Sequence, residues 1–244
     1  MNMSPDSTKS GFTKIELLVV LAMVALLMTL PLSAINRWHN QSKIAQCAGN
    51  LRQLGVSMLL YGNDYAEKLP TETSGVWLWD MNWNIGTMLN EYGASEDVMY
   101  CPGTAPRFQP SDNDALYEYY APGSIHVIGY CPTFVGAPTL LATNANPTIR
   151  PQPIRAGSTN LPPPLPSQRV LNADATMKAP GATTTNSYVA IAGGYGKAHL
   201  SPHLNGFIPA GGNAGMLDGH VEWRAFNQMQ LRTTATGASP LFYW

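Results

Sequence analysis

The chain has 244 residues, 14 Lys+Arg against 15 Asp+Glu, and a formal net charge of -1. So even a balance creates no bulk field to gather nucleic acid, and a polynucleotide-binding role is excluded from the expectations. Charged residues reach only 12% while Gly 22 and Pro 20 punctuate the chain, which rules out a coiled coil or a polyelectrolyte tail; 45% hydrophobic residues suffice for one sizeable core with an appendage.

The appendage is N-terminal. Leu17 to Leu30 (LLVVLAMVALLMTL) is apolar apart from Thr29, and no charge occurs between Glu16 and Arg37. As a helix this run covers about 21 Å, and residues 12–35 about 36 Å, enough for a hydrocarbon layer of about 30 Å. The sequence thus predicts a membrane-inserting helix over 12–35. Glu16 lies on its edge, where an isolated carboxylate is costly, at least about 2.5 kcal/mol near the centre, and calls for a partner. The leader MNMSPDSTKSG is barely basic and no A-x-A-like site follows the run, which argues against a secretory signal peptide.

Gly11-Phe12-Thr13-Lys14-Ile15-Glu16-Leu17-Leu18-Val19-Val20 resembles the prepilin cleavage and methylation motif of type IV pilins and type II secretion pseudopilins. The resemblance implies a leader over 1–11 that prepilin peptidase removes after Gly11. It also implies methylation of the new N-terminus at Phe12, and an assembly charge pair between that amine and Glu16 of a neighbouring subunit. Further implications are single-pass placement in a bacterial inner membrane, with lipid around the helix before assembly, and an assembly platform in that membrane. The head would lie in the periplasm or on an extracellular filament.

Ile44, Cys47, Ala48, Leu51, Leu54, Gly55, Met58 and Tyr61 recur at three- and four-residue steps, which predicts an amphipathic continuation of the helix over 36–64. Pro31 should kink it and Gly62-Asn63-Asp64 end it. A rod from Phe12 to Tyr61 would be about 75 Å long. Asn50-Leu51-Arg52-Gln53-Leu54-Gly55, Tyr61-Gly62-Asn63-Asp64 and Asp218-Gly219-His220-Val221-Glu222-Trp223 look like a subgroup of pseudopilin-like proteins. Its C-terminal processing-associated domain has a histidine, nine intervening residues and Asp-Gly. Counting back from Asp218 places Ile208 at the histidine position, whereas His203 stands fifteen residues away.

The remaining chain, 65–244, is expected to form the globular head. Trp77, Trp79, Trp83, Tyr92, Tyr100, Tyr117, Tyr119, Tyr120 and Tyr130 crowd together there, either as core or as a carbohydrate-stacking surface. Eight prolines over 138–166 predict a long extended surface loop. Residues 186–191 (NSYVAI) read as a strand, and 215–217 with 220–224 as a hairpin closed by a primed Asp218-Gly219 turn.

Cys101 and Cys131 each sit in a Tyr-Cys-Pro triplet, so a disulfide between them would staple the head if the three thiols are not all free. Cys47 on the helix stripe reads as a small buried hydrophobe. Chemistry-bearing signatures are thin. His199, His203, Asp218 and His220 could supply nitrogen and oxygen ligands to Zn, and Asp112-Asn113-Asp114 oxygens to Ca, although no complete binding loop surrounds either set. The glycine pairs lack the lysine of a phosphate loop, and Ser201 lacks a nucleophile elbow.

The expectation is an α+β protein, with a long N-terminal helix, half membrane-spanning and half amphipathic, packed on a head that has an antiparallel β-sheet and long loops. It would be a non-enzymatic filament subunit without a cofactor, partnered by copies of itself or by pilin-like sister subunits. The alternative is a membrane-anchored binding module that holds a glycan through Trp77 and Trp79.

Overall fold

The structure is a computed structural model that describes residues 11–29, 32–120, 122–234, 237 and 239–244. Positions 1–10 of the expected leader, and Pro31, lie outside the described residues. The chain divides into two compact units, 1–41 and 42–244.

In the first unit, helix α1 (Lys14–Thr29) opens on a capping box. The Thr13 backbone N–H and hydroxyl each donate to Glu16 Oε2 at 2.9 Å, and Glu16 N–H donates to Thr13 Oγ1 at 3.3 Å. These bonds, the backbone one foremost, hold the Glu16 carboxyl below the usual carboxylate range. The carboxylate thereby satisfies orphan donors of its own first turn.

The expected long N-terminal helix with a membrane-spanning half is overturned, and with it the single-pass inner-membrane placement. Among the described residues no helix is long and apolar enough to cross a membrane. The apolar helix α1 has 16 residues, about 24 Å of rise, short of a hydrocarbon layer of about 30 Å. Helix α2 (Leu32–Asp64) has the length, 33 residues, but carries Asn36, Arg37, His39, Asn40 and Gln41 near its start.

From Ser42 onward α2 belongs to the second unit. Cys47, Leu51, Leu54 and Met58 are fully buried, as the stripe requires. The chain continues through β1 (Asp80–Asn82), α3 (Trp83–Glu91), α4 (Pro110–Tyr117), β2 (Ile125–Val127), β3 (Tyr130–Pro132), β4 (Ile154–Ala156), β5 (Thr159–Leu161), β6 (Val170–Asp174) and β7 (Met177–Lys178). It ends with β8 (Leu204–Asn205), β9 (Ile208–Pro209), β10 (Gly211–Met216), β11 (Val221–Ala225) and β12 (Leu241–Phe242). The main sheet is antiparallel in the order β11-β10-β6-β3. Both central strands, β6 and β10, are buried along their whole length.

Helix α2 lies on those central strands. Asn172 Nδ2 donates to Leu51 O at 3.1 Å and Asn213 Nδ2 to Ile44 O at 3.2 Å, so two sheet amides bond to carbonyls of the helix. Gly215 keeps room for the first of them: a Cβ there would meet Asn172 Oδ1 at 2.1 Å.

Several local expectations change. The 215–224 hairpin forms as a three-residue loop, with Met216 N–H donating to His220 O at 2.9 Å and Gly219 at φ +86°. A single left-handed residue after a tight turn replaces the primed pair. Residues 185–188 coil into a 3-10 turn, and Ile191 makes only an isolated bridge to His199, so 186–191 is no strand. Within the proline-rich segment the β4-β5 ribbon forms, and Asn146 is buried, its amide bonding Thr133 Oγ1 and Val170 O.

Candidate metal centre

Four segments of the second unit each deliver one side chain to a common point. Cys47 comes from the inner face of α2, where the helical stripe buries it. Cys101 precedes a short 3-10 turn at Pro102–Thr104, with Gly103 N–H pointing at its sulfur at 3.4 Å. Asp174 ends β6, and His203 stands in the loop before β8.

Their ligand atoms all lie within 4.8 Å of one another, and all four residues are buried. Cys47 Sγ donates to Asp174 Oδ1 at 2.8 Å and lies 3.2 Å from Cys101 Sγ. His203 Nε2 is 3.2 Å from Cys101 Sγ and 3.4 Å from Asp174 Oδ2. A tetrahedral ion with metal–sulfur bonds of about 2.3 Å and metal–nitrogen or metal–oxygen bonds of about 2.1 Å sets its donors roughly 3.3–3.8 Å apart. The four separations above, 2.8 to 3.4 Å, lie close to or below that spacing, and every other pair is within 4.8 Å. This cluster of two cysteines, an aspartate and a histidine could therefore hold a metal ion.

Surrounding groups orient the donors. Asp174 Oδ2 accepts the Asn213 backbone N–H at 2.7 Å, and the Tyr130 hydroxyl reaches Cys47 Sγ at 3.6 Å. Trp223 stands edge-on to the His203 ring, centroids 5.4 Å apart. Gly103 must be glycine here, because a Cβ would meet Cε1 and Nδ1 of His203 at 2.7 Å. The backbone of His203 is left-handed, at φ +52°, a strain that recurs at functional sites.

The electrostatics are those of a buried carboxylate paired with an imidazolium. Burial alone would raise the Asp174 carboxyl, but the bonds from His203, Cys47 and Asn213 outweigh it and hold Asp174 below its usual range. Burial likewise pulls the His203 imidazole down, yet its bonds to Asp174 and Cys47 prevail and push it up to about 10. The Cys101 thiol is driven well up, first by burial and then by its neighbours Cys47 and Asp174.

Of the four residues that could have supplied ligands to Zn, only His203 is here. His199 instead stacks against Phe108 at 5.7 Å and stands edge-on to Trp79 at 4.8 Å. Asp218 and His220 pair with each other at the exposed hairpin turn. Asp112 closes the first turn of α4, accepting from Gln109 N–H at 2.8 Å, and pairs with Lys197 at 2.6 Å, so Asp112-Asn113-Asp114 serves a helix start rather than Ca. All three cysteines are free, so the Cys101–Cys131 disulfide is absent; Cys101 faces Cys47, and Cys131 is buried in the core. Asp174 escaped sequence reasoning altogether, because nothing local distinguishes an aspartate at the end of a strand.

No protein-family model, no curated protein and no solved structure matches the chain.

Proposed function

We propose that this chain is a non-enzymatic structural subunit of a pilus-like or secretion pseudopilus-like filament, and that its head is locked onto α2 by a structural zinc ion. The observation that carries the filament reading is the exposure of an apolar helix. Every residue from Phe12 to Ala25 is exposed, among them Phe12 at 80%, Ile15 at 76% and Leu18 at 69%. A surface this apolar on a helix seeks sister helices. Gly11-Phe12 and Glu16 stand where a prepilin-type peptidase would cut and where a neighbour's amine would be neutralised. The hairpin β8-β9 supports the likeness to the processing-associated subgroup. Ala210 N–H donates to His203 O at 2.9 Å, so the chain leaves and returns at one point, and the hairpin takes up the additional spacing between His203 and Asp-Gly.

Zinc follows from the donors. Two thiolates, an imidazole and a carboxylate are borderline-soft ligands in a closed set of four, which leaves no open position for a substrate. Such a centre stabilises a fold and joins elements far apart in sequence, which suits a subunit that must stay rigid in a filament. The test is mass spectrometry on the natively assembled protein. The reading expects loss of residues 1–11 with one added methyl group and, under native conditions, one zinc per chain. Dispersed protein with residues 1–11 attached would defeat the filament reading, and a metal-free native mass the zinc reading.

A further inference from the structure

Apart from the metal centre, and sharing none of its four ligands, the head carries a cleft of about 560 Å³ bordered by Trp77, Asp80, Tyr119, Tyr120, Gly194 and Tyr195. Its walls are aromatic. Trp77 and Trp79 stack with centroids 5.6 Å apart and planes at 30°, and Tyr119 meets Tyr195 edge-on at 5.2 Å. Trp79 is buried and belongs to the core, whereas Trp77 and Tyr120 are half-buried and Tyr119 is exposed. Two glycines keep the space open: a Cβ on Gly193 would meet the Trp77 ring at 2.8 Å, and one on Gly194 the Tyr120 hydroxyl at 2.7 Å.

The polar groups are few, and some are already committed. Asp80 is only 8% exposed; its Oδ2 accepts the N–H groups of Val76 and Trp77, both at 2.7 Å. Among the described residues nothing donates to Asp80 Oδ1, and the Tyr120 hydroxyl makes no hydrogen bond. The Tyr119 hydroxyl donates to Gly194 O at 2.6 Å. No lysine or arginine lines the cleft among the described residues.

We propose that this cleft binds a neutral oligosaccharide, with the C–H face of one ring against Trp77 and its hydroxyls on Asp80 Oδ1 and the Tyr120 hydroxyl. A sugar offers such an apolar face with a rim of donors and acceptors, and this wall offers the complement. The absence of cations disfavours acidic sugars and phosphates, and a buried carboxylate would repel them. The space suits more than one ring and far exceeds a trimethylammonium group, the other ligand that aromatic walls attract. The assignment does not depend on the filament reading or on zinc.

The test is titration of the full chain, held in a polyoxyethylene detergent, with neutral oligosaccharides of glucose, mannose, galactose and N-acetylglucosamine, followed by tryptophan fluorescence. A saturable response to at least one of them is expected, weakened about tenfold by Trp77→Ala and several-fold by Tyr120→Phe, with unchanged circular dichroism. Tyr120→Phe removes one oxygen and no packing, so it remains informative if Trp77→Ala disturbs the fold. No saturable response at millimolar concentration, equal affinity in both variants and the parent, or tighter binding of tetramethylammonium overturns the proposal.

Discussion

His203 adopts a left-handed backbone, buries its ring and presents Nε2 to two sulfurs and a carboxylate. A non-glycine residue held this way costs roughly 1–3 kcal/mol, which the surrounding contacts must offset. At this scale the ligands separate from their look-alikes. Cys47→Ser or His203→Ala should release zinc and lower the melting temperature, whereas Cys131→Ser, a buried thiol outside the cluster, should keep a full complement of metal; metal analysis of the three variants distinguishes them. If Cys131→Ser loses zinc as readily as Cys47→Ser, the ligand assignment is wrong. His199 makes a different prediction. Burial among Trp77, Trp79 and Phe108 lowers its pKa from 6.5 to about 4. Between those values the unfolded chain binds more protons than the folded one, so His199 makes stability fall as pH drops through that window. Full expression of that shift corresponds to about 3–3.5 kcal/mol. Chemical denaturation of His199→Phe at pH 7 and pH 4.5 should show a shallower loss than the parent.

At the scale of elements, the candidate centre draws on the inner face of α2, the end of β6 and the loops that carry Cys101 and His203. The short turn after Cys101 lets Gly103 lie against the His203 ring, and Gly103→Ala should push that ring away. The expected result is a zinc affinity at least tenfold weaker, measured by competition with a chromogenic chelator, with the head still folded. Helix α2 contributes through its stripe. Met58→Ala removes a fully buried side chain and should cost about 2–5 kcal/mol in denaturant unfolding without affecting zinc stoichiometry. The hairpin β8-β9 leaves and re-enters at His203 and Ala210, so its exposed tip, with Phe207 at 57%, should tolerate Phe207→Ser within about 0.5 kcal/mol.

For the whole molecule, an ion held by these four residues would close long loops: Cys47 and Asp174 are 127 positions apart, Cys101 and His203 102. An ion bound only by the folded state stabilises by mass action, so exhaustive chelation should lower the melting temperature by on the order of 10 °C, and added zinc should restore it. On the proposed filament reading, assembly would belong to the other unit. Glu16→Val should abolish filament incorporation, scored by electron microscopy, while leaving the zinc content and melting temperature of the head unchanged, because the Glu16 carboxylate bonds to Thr13 in its own first turn.

The sequence by itself determined the features that depend on neighbours a few residues apart. The 44–61 stripe specified the buried face of α2, and Asp218-Gly219 marked the turn. It misled where length and composition stood in for geometry: among the described residues no helix is long and apolar enough to cross a membrane, and the apolar helix α1 has 16 residues. The metal centre was decided by tertiary structure alone. Cys47 read as core, Cys101 as half a disulfide, His203 as a possible Zn ligand beside His199, Asp218 and His220, and Asp174 as nothing. No spacing rule joins them, because the distance between ligand atoms is set by how α2 lies across β6 and β10, and close packing of side chains from distant segments leaves no periodicity along the chain.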